Sequence, residues 1–211
     1  MKPDEYKTIA SSAKGLYKDK GSKFIALAYP VDSVAEAMGI LENVRKEFHD
    51  ARHHCFAYRI GAEELNWRVN DDGEPSGTAG KPILGQIRSF GVTNIIIVVV
   101  RYFGGTLLGV GGLVNAYKNA ANTALSSARI VKRTVNIRFS LVFPYSEIGR
   151  VMKLIKDENI DLSEQSFEIE CRLIITLRKS LEGRIIKKLR NIDNLSFKLL
   201  EENQESKYFI N

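Results

Sequence analysis

Cysteine is scarce in this chain. The 211 residues contain two, Cys55 and Cys171, far apart in sequence. That excludes a disulfide framework and any paired-cysteine metal motif, and it suits a reducing cytosol. No apolar run approaches the ~20 residues needed to span a membrane. The start, Met1-Lys2-Pro3-Asp4-Glu5-Tyr6, lacks the apolar segment of a signal peptide. A cytoplasmic protein with no membrane attachment is therefore expected. Nucleotide motifs are missing too. Gly77-Thr78-Ala79-Gly80-Lys81 has the look of a phosphate loop, but Pro75 stands where the first glycine belongs and Pro82 follows the lysine. Gly109-Val110-Gly111-Gly112-Leu113-Val114 begins like a dinucleotide fingerprint and ends on valine. No cofactor follows from either. An RNA-recognition motif with interleaved aromatics is also lacking.

What remains is an ordinary globular composition, 44% hydrophobic and 27% charged, with net charge +6. The charge is compatible with a nucleic-acid partner without requiring one. The length suits one large domain or two small ones.

The chain is organised around Asp71 to Tyr117, where much of its glycine is concentrated. An acidic loop, Asp71-Asp72-Gly73-Glu74-Pro75-Ser76-Gly77, leads into a short helix near Lys81. Ile95–Val100 is a run of β-favouring apolar residues and reads as a strand covered on both faces. Arg101, Tyr102 and Phe103 end it, with Phe103 expected in the core. Gly104 and Gly105 open a turn into a helix from about Gly111 to Ala128. Its stripe is Leu113, Ala116, Tyr117, Ala120, Ala124 and Ala128.

Upstream, Tyr6–Ala13 and Lys23–Tyr29 read as strands joined by a basic loop or irregular hairpin, Lys14–Ser22. Ser33 and Glu36 form a capping box for a helix from Val34 to His49. His53–Ile60 and Asn66–Val69 read as a hairpin. This half is α+β, with helices on one face of a mixed sheet. Downstream, Arg129–Arg133 reads as a link. Val135–Phe143 is a strand, and Ser146 caps a helix carrying Ile148, Val151, Met152 and Ile155. Asp161–Ser166 and Phe167–Leu177 pair. Ser180 caps a second helix with Leu181, Ile185, Leu189 and Ile192. Leu195–Leu200 is the last strand, with an extension at Tyr208–Ile210. The order βαββαβ is the ferredoxin-like split motif. The expected domains are residues 1–130 and 131–211.

One block resembles the IMPACT/YigZ family. It runs through His53-His54-Cys55-Phe56-Ala57-Tyr58, Asp71-Asp72-Gly73-Glu74-Pro75-Ser76-Gly77-Thr78-Ala79, Gly80-Lys81-Pro82-Ile83-Leu84, Val98-Val99-Val100-Arg101-Tyr102-Phe103-Gly104-Gly105, Leu108-Gly109 and Gly111-Gly112-Leu113-Val114-Asn115-Ala116-Tyr117. The resemblance covers the first domain. It implies the fold of the second domain of ribosomal protein S5, shared with domain IV of elongation factor G. It also implies a ferredoxin-like second domain similar to domain V of that factor. Contact with RNA or the ribosome follows as an expectation. Eukaryotic members regulate translation initiation through a protein partner, using an additional N-terminal RWD domain that this sequence does not show, so a protein partner in translation control is a further expectation.

Lys81, Arg101 and Tyr102 are the candidates for phosphate or base contact, with His53, Asp71, Asp72 and Glu74 shaping the same site along with Ser76, Gly104 and Gly105. An ion pair of Arg101 with Asp72 or Glu74 is an open alternative. Histidines 53 and 54 point to opposite faces of a strand, so they cannot share a metal ion; His53 with the loop carboxylates is a weaker metal reading. Cys55, on the face of His53, is a weak candidate nucleophile without a third group. No complete catalytic or metal motif results, and a non-enzymatic protein is expected. The rivals are an enzyme using the Asp71–Glu74 loop with His53 or Cys55, and a protein-interaction module.

Overall fold

The computed structural model describes residues 4–62 and 66–200. They divide into two compact units, one of Glu5–Arg133 and one joining Asp4 to residues 134–200. Both mix helices and strands. The expected extension at Tyr208–Ile210 lies outside the described residues.

The first unit runs β1 (Glu5–Ile9), β2 (Ala13–Asp19), β3 (Ser22–Pro30), α1 (Val34–Glu47), β4 (His53–Ile60), β5 (Asn66–Asn70), α2 (Gly80–Ser89), β6 (Ile95–Tyr102), α3 (Gly109–Ser127) and β7 (Ile130–Thr134). Its five-stranded sheet has the order β2-β3-β6-β4-β5. Every neighbouring pair in it is antiparallel, so the sheet is not mixed. Nor do the helices share one face. Along β6, Ile95, Ile97 and Val99 join the core under α2 and α3, while Ile96, Val98 and Val100 join the core under α1. All of Ile95–Val100 are fully buried. Covering both faces is why the strand is apolar without alternation. Each such side chain contributes about 1.5–3 kcal/mol relative to exposure.

The Ser33 half of the capping box forms as expected, while Glu36 reaches one residue past the cap. Ser33 Oγ accepts from the Glu36 amide at 3.1 Å, and Glu36 Oε2 accepts from the Asp32 amide at 2.8 Å. Of the two readings of Lys14–Ser22, the hairpin forms, and it is regular, with β2 in register from Ala13↔Ala28 to Asp19↔Ser22. Its turn residues, Lys20 and Gly21, have φ of 44° and 79°, as a two-residue hairpin of this hand requires. The strand was hard to read because its inward position is Gly15. A Cβ there would lie 2.4 Å from the Ala124 amide nitrogen. Glycine lets the α3 backbone settle onto the strand, and it erases the apolar alternation that marks strands. Likewise Arg129–Arg133 is not a link: most of it is β7, which pairs with β1 in a separate two-stranded sheet.

The second unit is β8 (Asn136–Pro144), α4 (Ile148–Asp157), β9 (Asp161–Phe167), β10 (Glu170–Arg178), α5 (Glu182–Leu189) and β11 (Ser196–Leu200). The order βαββαβ is as expected, and the antiparallel sheet runs β11-β8-β10-β9. One face of it, with Phe139, Leu141, Phe143, Leu173, Ile175 and Leu177, packs on Val151 and Ile155 of α4 and Ile185 and Leu189 of α5. Neither Ser146 nor Ser180 caps its helix. Each sits within a one-turn 3₁₀ helix that leads into the α-helix, and Ser180 Oγ bonds the Asp4 carboxylate instead. Of the basic residues around α5, Arg184 and Lys188 are paired with Glu158. No helix among the described residues is long and apolar enough to cross a membrane.

Gly15→Ala is expected to destabilise by about 1–3 kcal/mol, because backbone cannot step aside as a side chain can. Gly39→Ala, exposed on α1 with nothing within 4 Å of the new methyl, is expected to stabilise by up to ~1 kcal/mol. Urea unfolding midpoints check both; equal midpoints would remove Gly15 as a packing constraint.

Candidate functional site

The site is built across three adjacent strands. Arg101 on β6 stands opposite Phe24 on β3 and His53 on β4. Alternation puts all three on the α2–α3 face of the sheet. The guanidinium is not at an open strand end. Arg101 is 7% exposed, and its Nη1 donates to Glu74 Oε1 at 2.6 Å. The Tyr117 hydroxyl donates to the same oxygen at 2.8 Å. The Glu74 side chain is itself only 4% exposed. Of the two pairings left open, Glu74 therefore takes Arg101, and Asp72 takes Arg45 at 3.2 Å. The guanidinium carbon lies 5.4 Å from the Phe24 ring centre and 5.7 Å from that of Phe103, within cation–π range. Its Nε is buried with no hydrogen-bond partner. Phe103 is not in the core but 54% exposed; it follows the last residue of β6.

The acidic loop is spent on structure. Asp71 accepts from three backbone amides, Gly77 at 2.7 Å, Gly80 at 2.8 Å and Ala79 at 3.0 Å. It thereby caps α2 from nine residues upstream. Burial alone would raise the Asp71 pKa, but these amides, helped by Lys81, bring it below the usual carboxylate range. Asp72, at φ 42°, accepts from the His54 amide at 2.7 Å. Its carbonyl oxygen lies 2.8 Å from His53 Nδ1. A carbonyl only accepts, so Nδ1 carries a proton. His54 turns to the other face, with Nε2 3.0 Å from the Phe48 carbonyl oxygen.

Cys55 is fully buried, its Sγ 3.0 Å from the Asp71 carbonyl oxygen and 3.3 Å from the Tyr117 hydroxyl. Burial pushes its thiol pKa strongly up, and the carboxylates of Glu74, Asp72 and Asp71 add to that. Tyr117 is pushed far up by burial and by Cys55 and Glu74. Both stay protonated, and a thiol so held is a poor nucleophile. Among the described residues, no three His, Cys, Asp or Glu side chains gather in a way that could hold a metal ion.

A cavity of about 440 Å3 opens at this end of the sheet, lined by His53, Arg101, Tyr102 and Phe103 with Asp50, Ala51, Arg52 and Leu107. It brings together His53, Arg101 and Tyr102 of the sequence candidates. Lys81 and Ser76 are exposed and do not line it. Lys81 lies along Gly77, where a Cβ would meet its Cδ at 3.6 Å. Gly104 is fixed by packing, since a Cβ would lie 2.0 Å from the Gly21 carbonyl carbon, and its amide donates to Ser22 Oγ at 3.1 Å. Gly105 has φ 87° and open space around it. Sequence reasoning passed over Asp50, Arg52 and Leu107. Asp50 and Arg52 were legible as charges flanking His53; what brings them to Arg101 is the pairing of β4 with β6. The Tyr102 hydroxyl donates to Asp50 Oδ1 at 2.7 Å, and burial and that carboxylate's charge add to the hydrogen bond in raising the phenol pKa.

Two outcomes are expected. Arg101→Ala leaves Glu74 buried without a cation, which costs about 3–5 kcal/mol; an unfolding midpoint like that of the unaltered chain would show that the pair does not hold this end together. For Asp71, the folded pKa lies below the unfolded value of 3.8. Its contribution is therefore fully present above that value and is lost as pH falls through the lower folded value. Asp71→Ala should lower stability near neutral pH and flatten the acid limb of the stability curve, and unfolding measured across pH checks this.

The Impact N-terminal domain family model matches residues 20–125, which include this whole site. The IMPACT family member YigZ of Escherichia coli K12 is 36% identical over 183 residues, 86% of this chain and 90% of that protein. A crystal structure described as that of a hypothetical protein is 33% identical and superposes with a TM-score of 0.70, over 96% of this chain and 99% of the other. A structure described as the two-domain translational regulator Yih1 is 25% identical over 57% of this chain and 48% of the other, and its TM-score of 0.36 carries no geometric argument. By the family model and by its identity to YigZ along most of both chains, this chain belongs to the IMPACT family.

Proposed function

We propose that this chain is a non-enzymatic, cytoplasmic protein of translation control that contacts RNA or the ribosome through the cavity beside Arg101. In this reading residues 1–130 and 131–211 are the functional domains. The first is S5 domain 2-like and the second ferredoxin-like, as in domains IV and V of elongation factor G. The strand order β11-β8-β10-β9 favours the second assignment. A protein partner of the kind used by eukaryotic family members is compatible with the same role.

The observation that carries the reading is the composition of the cavity. It combines the exposed cation Arg52 and the half-buried His53 with the rings of Tyr102 and Phe103. Cations neutralise phosphates, and exposed rings stack on unpaired bases. Arg101 serves by holding Phe103, not by meeting phosphate itself. Against the enzyme reading stand the buried high-pKa thiol of Cys55, the three amides that occupy Asp71, and the ion pair that occupies Glu74.

Co-sedimentation of the full chain with purified ribosomes across a salt series tests this. Association is expected to weaken as salt rises, and Arg52→Ala should reduce the log–log salt slope by roughly one if it meets one phosphate. No association at low salt would overturn the reading. Arg52 and Phe103 are exposed, so their alanine variants test the surface without the folding penalty of Arg101→Ala.

A further inference from the structure

We propose that this cavity is a pocket for a single nucleotide and that it prefers guanine. The proposal rests on the RNA-contact reading for the class of ligand, and its test separates the two.

The first observation is a preorganised stacking surface. Phe103 is 54% exposed, yet it is not loose, because the Arg101 guanidinium stands 5.7 Å from its ring centre. That guanidinium is in turn fixed by Glu74 at 2.6 Å. One face of the ring is thus backed while much of the ring remains open. Leu107, 83% exposed, lines the same cavity. Two apolar side chains left in water at one opening gain by covering a flat ring, and a backed ring gives up little freedom when it does so. A volume of about 440 Å3 falls within the range of small-ligand sites.

The second observation is the carboxylate. Asp50 lines the cavity and is exposed. Its Oδ1 accepts from the Tyr102 hydroxyl at 2.7 Å. That bond orients the group and leaves its other oxygen to accept. An ionised carboxylate cannot donate. Among the bases, guanine alone offers two adjacent N–H donors on its pairing edge. Adenine, cytosine and uracil each set an acceptor beside their donor, and the carboxylate repels it. The polar groups then divide naturally. Asp50 meets the base edge, Arg52 the phosphate, and His53, its Nδ1 held on the Asp72 carbonyl oxygen, can meet a ribose hydroxyl through Nε2.

Free guanine nucleotide and guanine within a single strand share this chemistry, so the experiment carries both. Binding of the full chain to labelled UUGUU and UUAUU RNA is measured by anisotropy, and to GMP and AMP by calorimetric titration. The guanine strand is expected to bind roughly tenfold tighter than the adenine strand. Asp50→Asn should bring that ratio close to one. Phe103→Ala should weaken both strands by about tenfold, the size of a lost base stack. GMP binding more tightly than AMP in direct calorimetric titrations, while neither strand binds, would support the pocket and overturn RNA contact. Ribosome association with no base preference would do the reverse. Equal binding of the two strands, or a preference that survives Asp50→Asn, overturns the proposal.

Discussion

The buried pair of Arg101 and Glu74 is the interaction on which this end of the first unit depends. A guanidinium 7% exposed and a carboxylate side chain 4% exposed are tolerable only together. Once paired, they connect distant parts of the chain. Glu74 comes from the loop before α2, Arg101 from the end of β6, and Tyr117 from α3. Phe24 and Phe103 lie on either side in sequence and both sit against the guanidinium. The pair is therefore a device for placing the acidic loop and the exposed ring. Its charge is largely consumed internally.

The same economy governs the loop. Asp71 satisfies amides that a helix start leaves without partners, and Asp72 ties the loop to His53 and His54 through its backbone and its carboxylate. A loop dense in acids invites a catalytic reading. Here each carboxylate already has its hydrogen-bond donors, and the thiol nearby is sealed. The groups left for a ligand are at the rim, Asp50, Arg52, Phe103 and Leu107, where exposure and incomplete pairing coincide.

Much of the fold was legible. The uninterrupted apolar run of β6 marked a strand covered twice, Ser33 with Glu36 marked the start of α1, and the periodicities after Val135 marked βαββαβ. Failures have physical causes. Gly15 hides β2 because close helix packing replaced the side chain that would have shown alternation. Phe103 misled because an aromatic after an apolar strand is usually buried, and here β6 ends at Tyr102, one residue before it. Ser146 and Ser180 looked like caps, but each helix is entered through a 3₁₀ turn.

Of the site, residue types and local spacing placed Arg101 and the acids in the central block Asp71–Tyr117, turned the two histidines to opposite faces, and left neither glycine run a complete nucleotide motif. Those properties are short-range and follow from strand alternation and turn chemistry. Which acid takes the arginine, whether the arginine meets solvent, and which distant loop supplies the rim were decided by tertiary structure alone. The register of β4 and β3 on β6 sets neighbours across tens of residues, and burial then selects among partners, because a charge removed from water must keep the counter-charge that packing brings within reach.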